Sequence, residues 1–229
     1  MIMNSKEIIS DLSKLKNLKN ISGMARFGIN PESALGISMP ILREKGREIG
    51  KNHDLALELW DSGIHEARIL SSIIDEPRKV TKSQMNAWVK DFNSWDLCDQ
   101  CCMNLFRKTK FATELPFIWA EKKSEFVKRA GFVMMAVNSV HNKKLSDEDI
   151  MEYFPLIIKH SSDDRNFVKK AVNWAIRQIG KRNLNLNKEA IIVCEQLISE
   201  DSSSANWIAM DAIRELTSEK IISRLKKKT

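Results

Sequence analysis

The chain has 229 residues, of which 43% are hydrophobic and 29% charged, and it carries a formal net charge of +7 with a pI near 9.2. That balance supplies the apolar material for a large core and excludes a disordered chain. No apolar run approaches the ~20 residues that span a bilayer, and the polar start MIMNSKEIISDLSKLKNLKN has no continuous apolar segment of the kind a signal peptide needs. The expectation is a cytoplasmic protein with no membrane partner.

Apolar spacing is helical nearly everywhere, and no run of alternating β-branched residues is bounded by turn signals, so the fold class is all-α. In chain order the spacing predicts helices near 5–19, 40–50, 52–61, 64–75, 81–91, 95–107, 114–121, 124–138, 147–160, 164–180, 187–199, 203–216 and 218–226. Thr81, Ser94, Ser124 and Ser146 stand at helix starts, the last followed by Asp147 and Glu148, whose charges suit a helix N-terminus. Short helices with short connections pack mainly on sequence neighbours. The pairs 81–91/95–107, 124–138/147–160 and 164–180/187–199 recur at roughly the ~40-residue spacing of HEAT-type repeats. The expected architecture is an α-solenoid of antiparallel helix pairs forming one domain over 1–229. It divides into an N-terminal helix and loop over 1–34, a repeat array over 35–217 and a basic tail over 218–229, ending in LKKKT.

Three helices carry unusual residues. In WDLCDQCC, Leu97, Cys98, Cys101, Cys102 and Leu105 form the core side, whereas Trp95 and Asp99 share its flank. Asp96 sits in the first turn, where the helix dipole favours a carboxylate. Cys98, Cys101 and Cys102 crowd one helix and Cys194 stands apart, which suggests no disulfide framework. His53, His65, His141 and His160 show no paired ligand spacing either, so the cysteines read as reduced core residues with no metal.

In SEFVKRAGFVMMAV, Phe126, Ala130, Val133, Met134 and Val137 form the core stripe, with Lys128 and Arg129 off it. In DDRNFVKKAVNWAIRQIGK, Val168, Ala171, Val172, Ala175 and Ile179 form the stripe. Trp174 lies about 120° from its centre, in a row with Lys170, Arg177 and Lys181. Such a row is either a solvated helix face whose tryptophan caps the core edge, or a phosphate-gripping surface with an aromatic for sugar or base. One helix does not choose between them.

WDLCD, the arginine of FVKRAGF and the tryptophan of FVKKAVNWAIRQIGK, in this order and spacing, closely resemble the DNA alkylation repair enzyme family, the HEAT-like alkylpurine DNA glycosylases. The resemblance runs from LGISMPILR at 35–43 to NWIAMDAIREL at 206–216. It implies a right-handed α-solenoid of HEAT-like repeats whose concave basic face holds double-stranded DNA containing alkylated bases. It also implies Trp95 and Asp99 as the aromatic and catalytic carboxylate of a W-x-x-x-D motif, with Arg129 and Trp174 as their companions and Arg177 as the basic residue one turn beyond. Lys128, Lys170 and Lys181 extend the expected DNA contacts. Two departures are visible: Ser94 stands where many active members carry a second aromatic, and MARFGINPESALG is not obviously aromatic-rich.

The chemistry fits these residue types. A purine alkylated at N3 or N7 is already a good leaving group, and the remaining barrier lies in an oxocarbenium-like sugar. Asp99 would stabilise that cation and orient water, with Trp95 and Trp174 flanking the sugar. No cofactor is called for, and no P-loop, dinucleotide-binding, G-x-S-x-G or H-E-x-x-H motif is present. The expectation is a monomeric, monofunctional glycosylase; the alternatives are a non-catalytic protein that binds DNA structure and a protein-interaction scaffold.

Overall fold

The computed structural model describes residues 4–227, so Lys228 and Thr229 of the basic tail lie outside the described residues. Among those described, every regular element is a helix and none is a strand. The chain forms two compact units, Met1–Phe111 and Ala112–Thr229.

The first unit holds α1 (Ser5–Lys14), α2 (Leu18–Arg26), α3 (Met39–Ile49), α4 (His53–Asp61), α5 (His65–Ile74), α6 (Lys82–Trp88) and α7 (Trp95–Asn104). Its centre is α5, packed on α3, α4 and α7. Leu55, Leu59, Ala67, Leu70 and Ile74 are buried there with Leu97, Cys98, Cys101 and Cys102. Beside this core Trp60 stacks on Trp88 with ring centroids 3.9 Å apart, and its indole nitrogen donates to Asp91 at 2.8 Å. The four cysteines are free and buried; burial pushes the Cys101 thiol well up and the Cys194 thiol to about 12.

The helix expected over 5–19 is two helices. Asn17 caps α2, its side chain accepting from the Asn20 amide at 3.0 Å. The following loop is pinned from beneath by the buried Glu66 carboxylate, which accepts the backbone amides of Leu35, Gly36 and Ile37 at 2.7, 2.6 and 3.1 Å. Gly36 has φ 74°, and a Cβ there would collide with the Asn17 carbonyl. The loop is therefore as specified as a helix, through a partner about thirty residues later in the chain.

The second unit holds α8 (Leu115–Ala120), α9 (Glu125–His141), α10 (Asp147–Met151), α11 (Phe154–His160), α12 (Asn166–Gly180), α13 (Leu184–Ile198), α14 (Ser203–Leu216) and α15 (Glu219–Lys226). The helix expected over 147–160 breaks before Phe154, because Pro155 has no amide to donate and is tolerated in the first turn of α11. Within this unit α12 packs on α9, α11, α13 and α14, and α9 also packs on α8. At that last contact Gly131 lets the backbones close in, since a Cβ there would sit 2.5 Å from the Ala120 nitrogen. The tail expected from 218 onward begins as α15, which buries Ile221 and Leu225.

Side-chain bonds between elements recur at sequence separations of 31, 35, 38 and 34 residues: His65 to Asp96, Lys128 to Asp163, Arg129 to Phe167 and Lys181 to Glu215. Within each unit these bonds join helices about one repeat apart, as stacking repeats require.

Candidate functional site

Trp95 and Asp99 belong to the first unit; Lys128, Arg129, Lys170, Trp174, Arg177 and Lys181 belong to the second. The helical wheels hold for α7 and α12. Leu97, Cys98, Cys101, Cys102 and Leu105 are buried, as are Val168, Ala171, Val172, Ala175 and Ile179, whereas Trp95, Asp99 and Trp174 are half-buried at the edges of these cores.

Ser94 takes the N-cap position of α7 with extended backbone, but its hydroxyl makes no cap bond. The start of α7 is fixed instead by Asp96, whose Oδ2 lies 2.8 Å from Nε2 of the buried His65 at the head of α5. Burial alone would raise the Asp96 carboxyl, but the bonded and positively charged His65 ring outweighs it and holds the group below the usual carboxylate range. Burial likewise pulls His65 down, and the bond to Asp96 with the charges of Asp96 and Glu66 carries it above its ordinary value. Asp96 therefore joins two helices rather than merely facing a dipole, and it stands between Trp95 and Asp99.

Trp95 has a partner that the sequence reading missed. Its Nε1 donates to the Phe27 carbonyl at 3.0 Å, which ties α7 to the end of α2. Trp95 and Phe27 line a cavity of about 790 Å³, together with Lys19, Arg26, Met24 and the Glu66-pinned Ile37. The Phe27 side chain is 74% exposed, a large apolar group left in water at the mouth of a cationic hollow. The segment MARFGIN thus supplies an aromatic after all.

In the second unit the expectation for Lys128 and Arg129 needs correcting: both are buried. The reason is that α9 is covered on all sides from Val127 to Ser139, so it has no solvated face to carry them. Lys128 Nζ lies 3.0 Å from Asp163 and 3.2 Å from His160 Nδ1. Burial would raise Asp163, but Arg165 and Lys128 together lower it to about 2. Burial and the Lys128 ammonium hold His160 below its ordinary value. Arg129 is 5% exposed and donates from Nη1 to the Phe167 carbonyl at 2.7 Å, so it braces the first turn of α12. Phe126 is half-buried beside Phe167 rather than in the core.

Along α12, Lys170 is exposed. Turning the Gln178 side-chain amide so that its oxygen faces donors lets that oxygen accept from Trp174 Nε1 at 2.9 Å and from Lys181 Nζ at 3.1 Å. Arg177 Nη1 lies 3.4 Å from Asp211 and 3.1 Å from Glu215, and Lys181 Nζ is 2.7 Å from Glu215. These two carboxylates on α14 were not singled out from sequence, nor was Trp207, which is 41% exposed with Lys169 Nζ 5.2 Å from its ring centroid. Among the described residues no three His, Cys, Asp or Glu side chains converge to hold a metal ion, and no helix is long and apolar enough to cross a membrane.

Stacked short helices bonded layer to layer, with aromatic and basic residues at their edges, define a HEAT-like repeat protein. A solved structure with this fold matches at a TM-score of 0.78 and 17% identity, over 93% of this chain and 95% of that one. That protein is described as one of a new family related to the HEAT-like repeat DNA glycosylases, with affinity for branched DNA structures. The model of the DNA alkylation repair enzyme family matches residues 8–217, and the chain belongs to that family. No curated protein matches the sequence.

Proposed function

We propose that the protein is a monofunctional DNA glycosylase that hydrolyses the N-glycosidic bond of N3- or N7-alkylated purines in duplex DNA. The observation that carries this reading is the edge of α7, where Asp99 lies one turn from Trp95 and Trp95 walls an aromatic, cationic cavity with Phe27, Lys19 and Arg26. Duplex DNA brings phosphates, flat bases and, at the lesion, a sugar that becomes cationic. The hollow offers the matching partners.

In this mechanism the C1′–N bond breaks with its electron pair passing to the alkylated base, which leaves neutral because it began as a cation. Asp99 stabilises the positive charge left on the sugar and orients a water, whose oxygen bonds to C1′ while its proton is lost to solvent or to the carboxylate. The Trp95 π face adds ~0.5–2 kcal/mol of attraction for the cation. Trp174 supplies an aromatic surface for sugar or base, and Lys170, Arg177 and Lys181 hold phosphates. Lys128 and Arg129 act beneath the surface: they fix the first turn of α12, and with it the row, through Asp163 and the Phe167 carbonyl.

A second reading, binding of branched DNA without catalysis, is favoured by the described affinity of the structural neighbour. Release of free base from N3- and N7-alkylated duplex under single-turnover conditions separates the two. Time-dependent release supports the glycosylase; tight junction binding with no release supports the second.

A further inference from the structure

The row that makes α12 look basic in sequence is largely neutralised in the fold. Arg177 and Lys181 face Asp211 and Glu215 across the α12–α14 contact, and Arg214 pairs with Asp211 from the other side. Lys170, on the same row, has no ion-pair partner among the described residues and is exposed. The charge offered to a ligand along this edge is therefore much smaller than the count of cations suggests.

The ion cluster is close but poorly satisfied. Arg177 Nη1 approaches Glu215 Oε2 to 3.1 Å, yet neither that oxygen nor the buried Arg177 Nε has a hydrogen-bond partner in good geometry. A phosphate presents more oxygens than a single carboxylate edge and can match the planar guanidinium fork with two parallel bonds. An anion arriving here competes with a counter-charge that the protein itself supplies.

We infer that Asp211 and Glu215 are internal competitors of DNA phosphate: the carboxylates of α14 occupy Arg177 and Lys181 in the free protein and set how strongly, and at what salt concentration, a duplex is held. The inference rests on the DNA-binding reading of the α12 row. Its physical content is one of exchange. A phosphate that displaces Glu215 from Lys181 leaves that carboxylate close by, so binding works against a nearby like charge, and fewer counterions are released than the number of cations predicts. The device favours ligands that bring several phosphates to the edge at once.

The test is a salt titration of duplex binding by the full chain, with fluorescence anisotropy of a labelled oligonucleotide as readout. Glu215→Gln is expected to bind about tenfold tighter at low salt, with the slope of log affinity against log salt steeper by about one. Asp211→Asn should move both quantities in the same direction by less, since Arg214 also holds that carboxylate. Glu215→Asp, which keeps the charge, should stay near wild type. Unchanged or weaker binding by a Glu215→Gln protein that melts like wild type overturns the inference; weaker binding would mean that the acids orient the cations for phosphate. If Glu215→Gln does not fold, Asp211→Asn decides by the same criterion. Arg177→Ala separates the two levels. Weakened binding there with no change in Glu215→Gln removes the inference and leaves the DNA reading standing, whereas unchanged binding in Arg177→Ala removes both.

Discussion

At the scale of the residue, the decisive contacts around the W-x-x-x-D motif come from elsewhere in the chain. Trp95 is held by the Phe27 carbonyl, and Asp96 by His65. The His65–Asp96 bond gives the fold a pH signature whose sign can be worked out. His65 titrates above its ordinary value in the folded protein, so its contribution to stability is complete below the unfolded value near 6.5 and is lost as pH rises through the folded value. Asp96 titrates below its ordinary value, so its share is complete above about 3.8 and is lost as pH falls further. The pair is therefore strongest between those limits. His65→Asn should be less stable than wild type by urea melts at pH 6, and the gap should narrow as pH is raised past the His65 titration. A gap constant from pH 6 to pH 9 would show that the bond contributes no charge. His160, held low, acts in the opposite sense and cancels in the comparison because both proteins contain it.

At the scale of the element, the packing depends on close approaches that only particular residues permit. Gly131 is one: alanine in mid-helix normally gains roughly 1 kcal/mol over glycine, but here its Cβ would meet the Ala120 backbone at 2.5 and 2.9 Å. Gly131→Ala should therefore lose stability, by about 1–3 kcal/mol, as overpacking does. A denaturation midpoint at or above wild type with an unchanged slope would contradict this. The same element shows what the sequence could disclose. The stripes of α7 and α12 were legible because each helix has one buried face, and a 3.6-residue period reports it directly. On α9 the period is uninformative, since the helix is covered all round, and the burial of Lys128 and Arg129 depends on partners 35 and 38 residues later. The break at Pro155 was visible in the sequence and only had to be weighed. The second N-terminal helix was not, because the loop beside it is specified by Glu66 from another helix.

At the scale of the whole molecule, the net charge of +7 suggested an anionic partner without saying where it would sit. Family membership and the HEAT-like fold now make that partner DNA in the proposal, while the ion pairs on α14 explain why counting cations along α12 overstates the charge on offer. Arg177→Ala should weaken binding similarly for all duplex sequences, because a phosphate contact positions the duplex without reading it. A sequence-selective loss in a competition assay would assign Arg177 to base readout instead. The carboxylate proposed for catalysis makes the opposite demand. If Asp99 stabilises the sugar cation, its charge matters in the transition state and only hinders phosphates in the ground state.

Single-turnover release of alkylated purine by Asp99→Asn, measured beside duplex affinity and melting temperature on the same preparation, tests this most directly. The account predicts a fall in the rate of at least about 10²-fold, the scale seen when one fixed electrostatic group is removed from a transition state, with affinity equal to or slightly above wild type and unchanged melting. Base release at the wild-type rate by a stably folded Asp99→Asn protein would contradict it.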